Sequence, residues 1–237
     1  MTAHDSWAKV YDLAYQESFG SFYKGLTKLT LSVIQEEISI GLKVVDFGAG
    51  TGRLSYPLSE LGYKMTAVDP SLEMLKELLA KDVKKKIKVQ NVPMQDFISN
   101  ERYDFALCVF SVLIYLTEEE TLNQAISSLK KCLELNGSVL IDIPKPLAFR
   151  DLNYESSTLR RNVIIDKRND IFVYKESIDV LEGGNWVNYS DKFEIRCWKL
   201  ETVINKMKQL GFIIKKDLSE RFAGSGSSYF IFKLLDN

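Results

Sequence analysis

The stretch Val44-Val45-Asp46-Phe47-Gly48-Ala49-Gly50-Thr51-Gly52-Arg53-Leu54 decides the fold of this chain. Its β-branched start predicts a buried strand, its alternate glycines predict a sharp turn, and the apolar spacing that follows predicts a helix. Glycine is needed in such a turn because the backbone bends sharply and a ligand approaches where a Cβ would stand. The stretch therefore predicts a strand–turn–helix unit that holds a nucleotide-like ligand.

Short apolar runs alternate with helix-length segments from residue 43 to residue 143. Apolar residues at three- and four-residue spacing give each helix one face that packs against a sheet. Such alternation is typical of βαβ units around a parallel, doubly wound sheet. The predicted strands are Lys43–Phe47, Lys64–Asp69, Ile87–Asn91, Tyr103–Val109 and Gly137–Ile143, and the predicted helices are Leu54–Leu61, Ser71–Ala80 and Glu118–Leu133. Thr117 and Glu120 predict a capping box that starts the third helix.

The segments outside this alternation predict additions to the sheet. The pattern before it indicates two N-terminal helices, Ser6–Tyr15 and Phe22–Ile38. After Pro144-Lys145-Pro146 a polar loop leads to two strand-like runs, Asp170–Leu181 and Trp186–Trp198, and Gly183-Gly184 predicts the tight hairpin between them. The chain then closes with a predicted helix, Leu200–Leu210, and two predicted strands, Phe212–Leu218 and Ser228–Leu234.

These segments predict three parts. Residues 1–42 form a helical cap, residues 43–143 and 198–237 form one nucleotide-binding Rossmann-like domain, and residues 144–197 form an antiparallel β insert. The exposed edge of the hairpin leaves a homodimer possible.

Composition limits the partners of this chain. A net charge of -1 and a pI near 6.0 argue against binding to bulk nucleic acid, and the lysine-rich run 81–88 is expected to be a solvated surface. One histidine and three widely spaced cysteines predict no metal site and indicate reduced thiols in a cytoplasmic protein. The N-terminal residues lack the basic-then-apolar order of a signal peptide, so no export is expected, and no apolar run approaches the ~20 residues of a membrane helix.

Carboxylates follow the second and third predicted strands. Asp69, which precedes Pro70, can accept hydrogen bonds from ribose hydroxyls at the strand end, or it can cap the next helix. Asp96-Phe97 can accept from an adenine amino group and cover the ring, or it can form a turn closed by the aspartate side chain. A dinucleotide fingerprint is disfavoured because Arg53 stands where its third glycine belongs.

These features together resemble the class I S-adenosylmethionine-dependent methyltransferases over about residues 44–143. The resemblance implies a seven-stranded sheet of order 3-2-1-4-5-7-6 with an antiparallel seventh strand, and S-adenosylmethionine as cofactor. The residues that it places at the cofactor are Asp46, Gly48, Ala49, Gly50, Asp69, Pro70, Asp96, Phe97 and Phe110.

A looser similarity links Tyr11–Tyr15, Phe110–Leu116 and the hairpin insert to small-molecule N-methyltransferases that act on amino-sugar nucleotides and glycine-like amines. It implies that the helical cap and the insert roof the acceptor pocket, with Tyr11, Tyr15, Tyr115, Tyr189 and Arg196 near the acceptor. The candidates for a catalytic role are His4, Tyr15 and Tyr115. His4 is either a base or an exposed, idle residue.

The function most favoured by these observations is transfer of a methyl group to the nitrogen of a small-molecule amine. O-methylation of a small natural product is the first alternative, and macromolecular methylation is a further one. Two alternatives of another class are an NAD-dependent oxidoreductase and a non-catalytic binding module.

Overall fold

The computed structural model describes residues 2–235, in which it contains five α-helices and eleven β-strands. The helices are α1 (Tyr11–Glu37), α2 (Ser55–Glu60), α3 (Leu72–Lys81), α4 (Glu119–Cys132) and α5 (Leu200–Gln209). The strands are β1 (Lys43–Phe47), β2 (Lys64–Val68), β3 (Lys88–Gln90), β4 (Tyr103–Cys108), β5 (Leu133–Pro144), β6 (Leu152–Glu155), β7 (Leu159–Arg168), β8 (Ile171–Glu182), β9 (Asn185–Arg196), β10 (Phe212–Asp217) and β11 (Ser227–Leu234).

The main sheet has seven strands in the order β10-β11-β5-β4-β1-β2-β3. Strands β1 to β5 pair in parallel, and β11 is antiparallel to both of its neighbours. With the four insert strands left out of the numbering, this is the predicted order 3-2-1-4-5-7-6, so the predicted fold class is confirmed. Because β1 and β2 pair from Lys43↔Lys64 to Phe47↔Val68, the glycine turn and Asp69 leave the sheet side by side.

Two apolar layers cover the two faces of this sheet. Successive side chains of a strand point to opposite faces. Val45 therefore belongs to the layer beneath α4 and α5, whereas Val44 belongs to the layer beneath α1, α2 and α3. Both side chains are fully buried, which explains the unbroken apolar run of β1.

The insert is a separate four-stranded antiparallel sheet of order β6-β7-β8-β9. The predicted hairpin is confirmed, with Gly183 at φ 57° and Gly184 at φ 87° between β8 and β9. The predicted polar loop before it is wrong in part, since β6 and β7 lie there. Their pattern is hard to recognise because Arg161 occupies an inward position between Leu159 and Val163 and is only 4% exposed.

The N-terminal segment differs from its prediction in where it bends. A short 3-10 helix, Asp5–Val10, runs directly into α1, and α1 kinks at Gly20 with φ 47° and ψ -120°. The predicted break before Phe22 is therefore real, but the first helix continues past Tyr15. Glycine adopts this left-handed conformation without the steric cost of a Cβ.

The predicted capping box is wrong. Helix α4 begins at Glu119, and its N-cap, Glu118, makes no side-chain capping bond. Thr117 lies outside the helix, and its carbonyl oxygen accepts a hydrogen bond from Arg196 Nη1 at 3.0 Å. Arg196 of β9 thus contacts the residue that was predicted to cap the helix.

Candidate functional site

The glycine turn after β1 has the shape that a ligand site needs. Gly48 has φ 67° and Gly50 has φ 55°, which favour glycine. A Cβ at Gly48 would stand 2.5 Å from Val112 Cγ2, whereas a Cβ at Gly50 would meet no protein atom within 4 Å. Gly48 therefore lets the loop after β4 pack closely, and Gly50 leaves its open side to the cavity that it lines.

Asp69 ties the glycine turn to the start of α3. Its Oδ2 accepts a hydrogen bond from the Gly50 N–H at 2.8 Å, and its Oδ1 accepts one from the Ser71 N–H at 2.8 Å. The N-cap of α3 is Ser71, whose hydroxyl oxygen accepts from the Met74 N–H at 3.1 Å. The capping alternative for Asp69 is therefore wrong. Burial raises the pKa of Asp69, and each carboxylate oxygen keeps a second lone pair for a ligand.

A second carboxylate, Asp46, closes the base of the turn. Its Oδ2 accepts a hydrogen bond from the Ser55 hydroxyl at 2.6 Å, and burial raises the pKa of Asp46 to about 6. The loop is also clamped from outside. The Thr51 hydroxyl donates to Asp12 Oδ1 at 2.6 Å, and Lys81 Nζ donates to both Asp12 Oδ2 and the Thr51 carbonyl. These bonds hold α1 and α3 on the glycine turn.

A cavity of about 380 Å³ opens over these residues. This volume lies within the roughly 300–1,000 Å³ that is usual for small-molecule pockets. The cavity runs from the glycine turn to the N-terminal segment and the insert. Besides the turn, its lining includes His4, Tyr11, Tyr23, Arg53, Asp69, Met94, Gln95, Phe110, Val112, Tyr115, Phe193 and Glu194.

Most of the predicted cofactor residues meet in this cavity. Those that line it are Asp46, Gly48, Ala49, Gly50, Asp69, Pro70 and Phe110. The structure places Asp96 and Phe97 elsewhere. Phe97 is 3% exposed, with its ring edge-on to Phe47 at 5.1 Å, and Asp96 is exposed.

Met94 and Gln95 take the place predicted for that pair. Both line the cavity at the short 3-10 helix Met94–Asp96. Gln95 Oε1 is buried and has no hydrogen-bond partner within residues 2–235, so it offers an acceptor to a bound ligand. The one sequence signal for Met94 and Gln95 is their position directly before Asp96.

The predicted acceptor residues divide into two groups. Tyr11 and Tyr115 line the cavity. Tyr15 lies against the Arg161 guanidinium at 4.4 Å, and the Tyr189 hydroxyl donates to Glu182 Oε1 at 2.7 Å. Arg196 stacks on Trp198 at 4.2 Å, apart from its bond to Thr117. These last three residues do not line the cavity.

His4 and Tyr115 form a hydrogen-bonded pair in the cavity. His4 Nε2 lies 2.7 Å from the Tyr115 hydroxyl oxygen. His4 is 9% exposed, so the prediction that it is exposed is wrong. Burial and the nearby Arg161 charge lower the pKa of His4 to about 3, and burial raises the pKa of Tyr115 well above its usual value. Both side chains are uncharged near neutral pH.

The insert fixes the position of His4. The His4 N–H donates to Asp191 Oδ2 at 2.6 Å, and the Ser6 hydroxyl donates to the Ser190 carbonyl at 2.8 Å. Beneath it, Arg161 and Glu176 form a buried ion pair at 2.7 Å. The imidazole also lies edge-on to the rings of Trp7, at 4.9 Å, and Phe193, at 4.8 Å.

The lowered pKa of His4 predicts a pH-dependent stability. Below pH 6.5 the unfolded chain takes up a proton at its one histidine, whereas the folded chain does so only near pH 3. Stability linked to His4 is therefore lost as the pH falls below 6.5. We expect the free energy of unfolding of the wild type to fall relative to that of His4→Phe by about 2–3 kcal/mol between roughly pH 7.5 and 4.5.

Urea unfolding of both proteins across this range measures the difference. Asp46 and Asp142 have raised pKa values and act in the opposite direction, but they are common to both proteins and cancel. A difference in stability that does not change with pH would show that His4 ionises normally.

From the sequence, Arg53 was expected only to disfavour a dinucleotide fingerprint, because it stands where the third glycine belongs. In the structure its guanidinium lies 4.4 Å from the centre of the Phe110 ring, and its Nη1 donates to the Thr27 hydroxyl at 3.1 Å. It lines the cavity beside the glycine turn. A fixed cation at this place can pair with an anionic group of a ligand.

Comparison with known proteins agrees with this geometry. A family model described as a methyltransferase domain matches residues 44–137, from β1 into β5. Residues 44–137 are therefore similar to a methyltransferase domain. The predictions of a methyltransferase and of S-adenosylmethionine as its donor agree with this match, and the domain holds the glycine turn, Asp69 and the loop after β4.

Two curated relatives match part of this chain. The chain is 26% identical over 150 residues to an uncharacterized methyltransferase of Geobacillus thermodenitrificans, and the match covers 62% of this chain and 66% of that protein. A second Geobacillus relative is covered over 42% of its length, so the chain spans less than two thirds of either curated relative.

Two solved structures share the fold over nearly the whole chain. One is an S-adenosylmethionine-dependent methyltransferase from Clostridium acetobutylicum, with a TM-score of 0.83, 19% identity and coverage of 96% of this chain and 99% of that chain. The other is the sugar N-methyltransferase KedS8 from Streptoalloteichus, with a TM-score of 0.77, 18% identity and coverage of 96% and 93%. Within residues 2–235, no helix has the length and apolar character to span a membrane.

Proposed function

We propose that this protein transfers a methyl group from S-adenosylmethionine to the nitrogen of a small-molecule amine. The observation that carries the proposal is the uncharged His4–Tyr115 pair, which lies in the same cavity as the glycine turn of the methyltransferase domain. One side of the cavity offers groups for a nucleoside, and the other offers aromatic rings and a neutral hydrogen-bonding pair.

The residues of the cavity fit the proposed cofactor. Asp69 presents carboxylate lone pairs beside the open face of Gly50, as ribose hydroxyls require. Gln95 Oε1 offers an unpartnered acceptor, and the Arg53 guanidinium offers a cation for a carboxylate. When bound, S-adenosylmethionine supplies an activated methyl group together with its own leaving group, so the main task of the protein is to bind and orient both reactants.

An amine acceptor fits the far side of the cavity better than a hydroxyl does. An alcohol or phenol needs a base to remove its proton, and neutral His4, with a pKa of about 3, is a poor one. A free amine carries its own lone pair. Tyr115 and Glu194 can orient it through hydrogen bonds, and the rings of Tyr11 and Phe193 favour a cationic methylated centre. The sugar N-methyltransferase among the structural neighbours gives further support.

We also propose that residues 1–42 and 144–197 together roof the acceptor side of the site. The His4–Asp191 and Ser6–Ser190 bonds join these two segments, and His4, Tyr11 and Phe193 enter the cavity from them. In this arrangement the domain of residues 43–143 and 198–237 holds the donor.

The test is a product assay with a panel of acceptors. The protein is incubated with S-adenosylmethionine and matched pairs of small molecules that carry an amine or a hydroxyl on the same ring, including amino sugars, and S-adenosylhomocysteine and the methylated product are quantified by mass spectrometry. We expect product with amines, and more of it as the pH rises toward the amine pKa. Product formation with the hydroxyl compounds alone would overturn nitrogen as the acceptor.

A further inference from the structure

Two consecutive residues at the start of the loop after β4 have a left-handed backbone. Phe110 has φ 72° and Ser111 has φ 69°, and neither is glycine. Side chains with a Cβ rarely adopt this conformation, and it persists where the surrounding structure enforces it. A neighbouring group must therefore stabilise the left-handed backbone of Phe110 and Ser111.

The group in contact with this pair is Asp142 on β5. Its side chain is buried at 1% exposure, and its Oδ1 accepts a hydrogen bond from the Ser111 N–H at 2.8 Å. Burial raises the pKa of Asp142 to about 6, so the group is a carboxylate near neutral pH. A buried carboxylate that accepts a hydrogen bond from a backbone N–H is a strong, directional anchor.

The direction of the loop determines which side chains reach the cavity. At the start of the loop, Phe110 lies under the Arg53 guanidinium and Val112 packs against Gly48. Tyr115 follows in the short 3-10 helix Val112–Tyr115 and meets His4. At the far end, Trp198 Nε1 donates to the carbonyls of Leu113 and Leu116, at 3.1 and 3.0 Å. The loop is thus anchored at both ends, and Asp142 holds the strained end.

We propose that Asp142 is a positioning residue for methyl transfer. By holding Phe110 and Ser111 in the left-handed conformation, it places Tyr115 against His4 and Phe110 against Arg53. Asp142 itself does not line the cavity, so it acts through the loop. This proposal rests on the proposed function for its kinetic consequence, but the geometry that it predicts can be measured without turnover.

The kinetic test uses Asp142→Ala, Asp142→Asn and the double variant Asp142→Ala/Ser111→Gly. We expect alanine to lower kcat at least tenfold at saturating S-adenosylmethionine, and to raise the Kd for S-adenosylmethionine by a smaller factor because Phe110 and Arg53 also lose their positions. Asparagine keeps an oxygen that accepts from Ser111 and should retain most of the activity. Glycine adopts a positive φ without strain, so the double variant should recover activity relative to Asp142→Ala. Ser138→Ala, a buried polar change on the same strand, is the control and should leave kcat unchanged.

The second readout is the nitrogen NMR spectrum of the untagged protein, in which His4 is the one histidine. We expect Asp142→Ala to shift the His4 Nε2 resonance in the same way as Tyr115→Phe does. In the double variant Asp142→Ala/Ser111→Gly, the resonance should return toward its wild-type position. This result stands even if no acceptor is turned over, so failure of the proposed function is separate from failure of this proposal.

If Asp142→Ala does not fold, Asp142→Ser decides the question, because it keeps a polar group but is too short to reach the loop. A folded alanine or serine variant with wild-type kcat and an unchanged His4 resonance would overturn the proposal. So would a loss of activity that Ser111→Gly fails to relieve.

Discussion

Tyr115→Phe is expected to lower kcat/KM for an amine acceptor about ten- to hundredfold. The change removes one oxygen, and with it the 2.7 Å hydrogen bond to His4 and the hydroxyl that can orient the acceptor nitrogen. Since the hydroxyl belongs to the acceptor side of the proposed site, affinity for S-adenosylmethionine should change less than about threefold. Steady-state kinetics and calorimetry of the same preparation measure the two effects separately.

The matched control is Tyr189→Phe. It removes the same atom from a tyrosine whose hydroxyl bonds to Glu182 and which does not line the cavity. We expect its kinetics to equal those of the wild type. If Tyr189→Phe impaired turnover and Tyr115→Phe did not, the acceptor side of the site would be misplaced.

Asp69→Ala is expected to weaken binding of S-adenosylmethionine about tenfold to a hundredfold. The change removes the two acceptor oxygens that organise Gly50 and Ser71, as well as the lone pairs proposed for the ribose hydroxyls. Because hydrogen bonds to a charged acceptor contribute about 1.5–3 kcal/mol, one such loss accounts for the expected range. Calorimetric titration gives the Kd, and circular dichroism checks that the variant is folded.

Asp96→Ala is the control, because the sequence and the structure predict different roles for Asp96. The sequence placed Asp96 at the adenine, whereas the structure places it outside the cavity. We expect its Kd for S-adenosylmethionine to stay within about twofold of the wild type. A loss as large as that of Asp69→Ala would return Asp96 to the site.

Local patterns were sufficient to predict the part of the fold that carries the glycine turn. The apolar run of β1 and the glycines after it are consecutive in sequence, Asp69 directly follows β2, and parallel pairing of β1 with β2 puts them together. The strand order followed from a resemblance rather than from the residues themselves.

Features that depend on distant contacts could not be predicted. His4 is buried because Asp191 and Tyr115, at sequence separations of 187 and 111 residues, meet it. The error at Asp96 and Phe97 has a different cause, because a shift of one or two positions in a short 3-10 helix changes which side chains face the cavity. Strand β7 was missed since Arg161, an inward residue, is neutralised by Glu176 only once the sheet has formed.

The measurement that tests the central claim most directly is a calorimetric titration of the purified protein with S-adenosylmethionine, S-adenosylhomocysteine and NAD in separate experiments. We predict micromolar binding of the first two ligands at one site per chain and no binding of NAD. Binding of NAD alone, or of none of the three, would contradict the assignment of the glycine turn and Asp69 to S-adenosylmethionine.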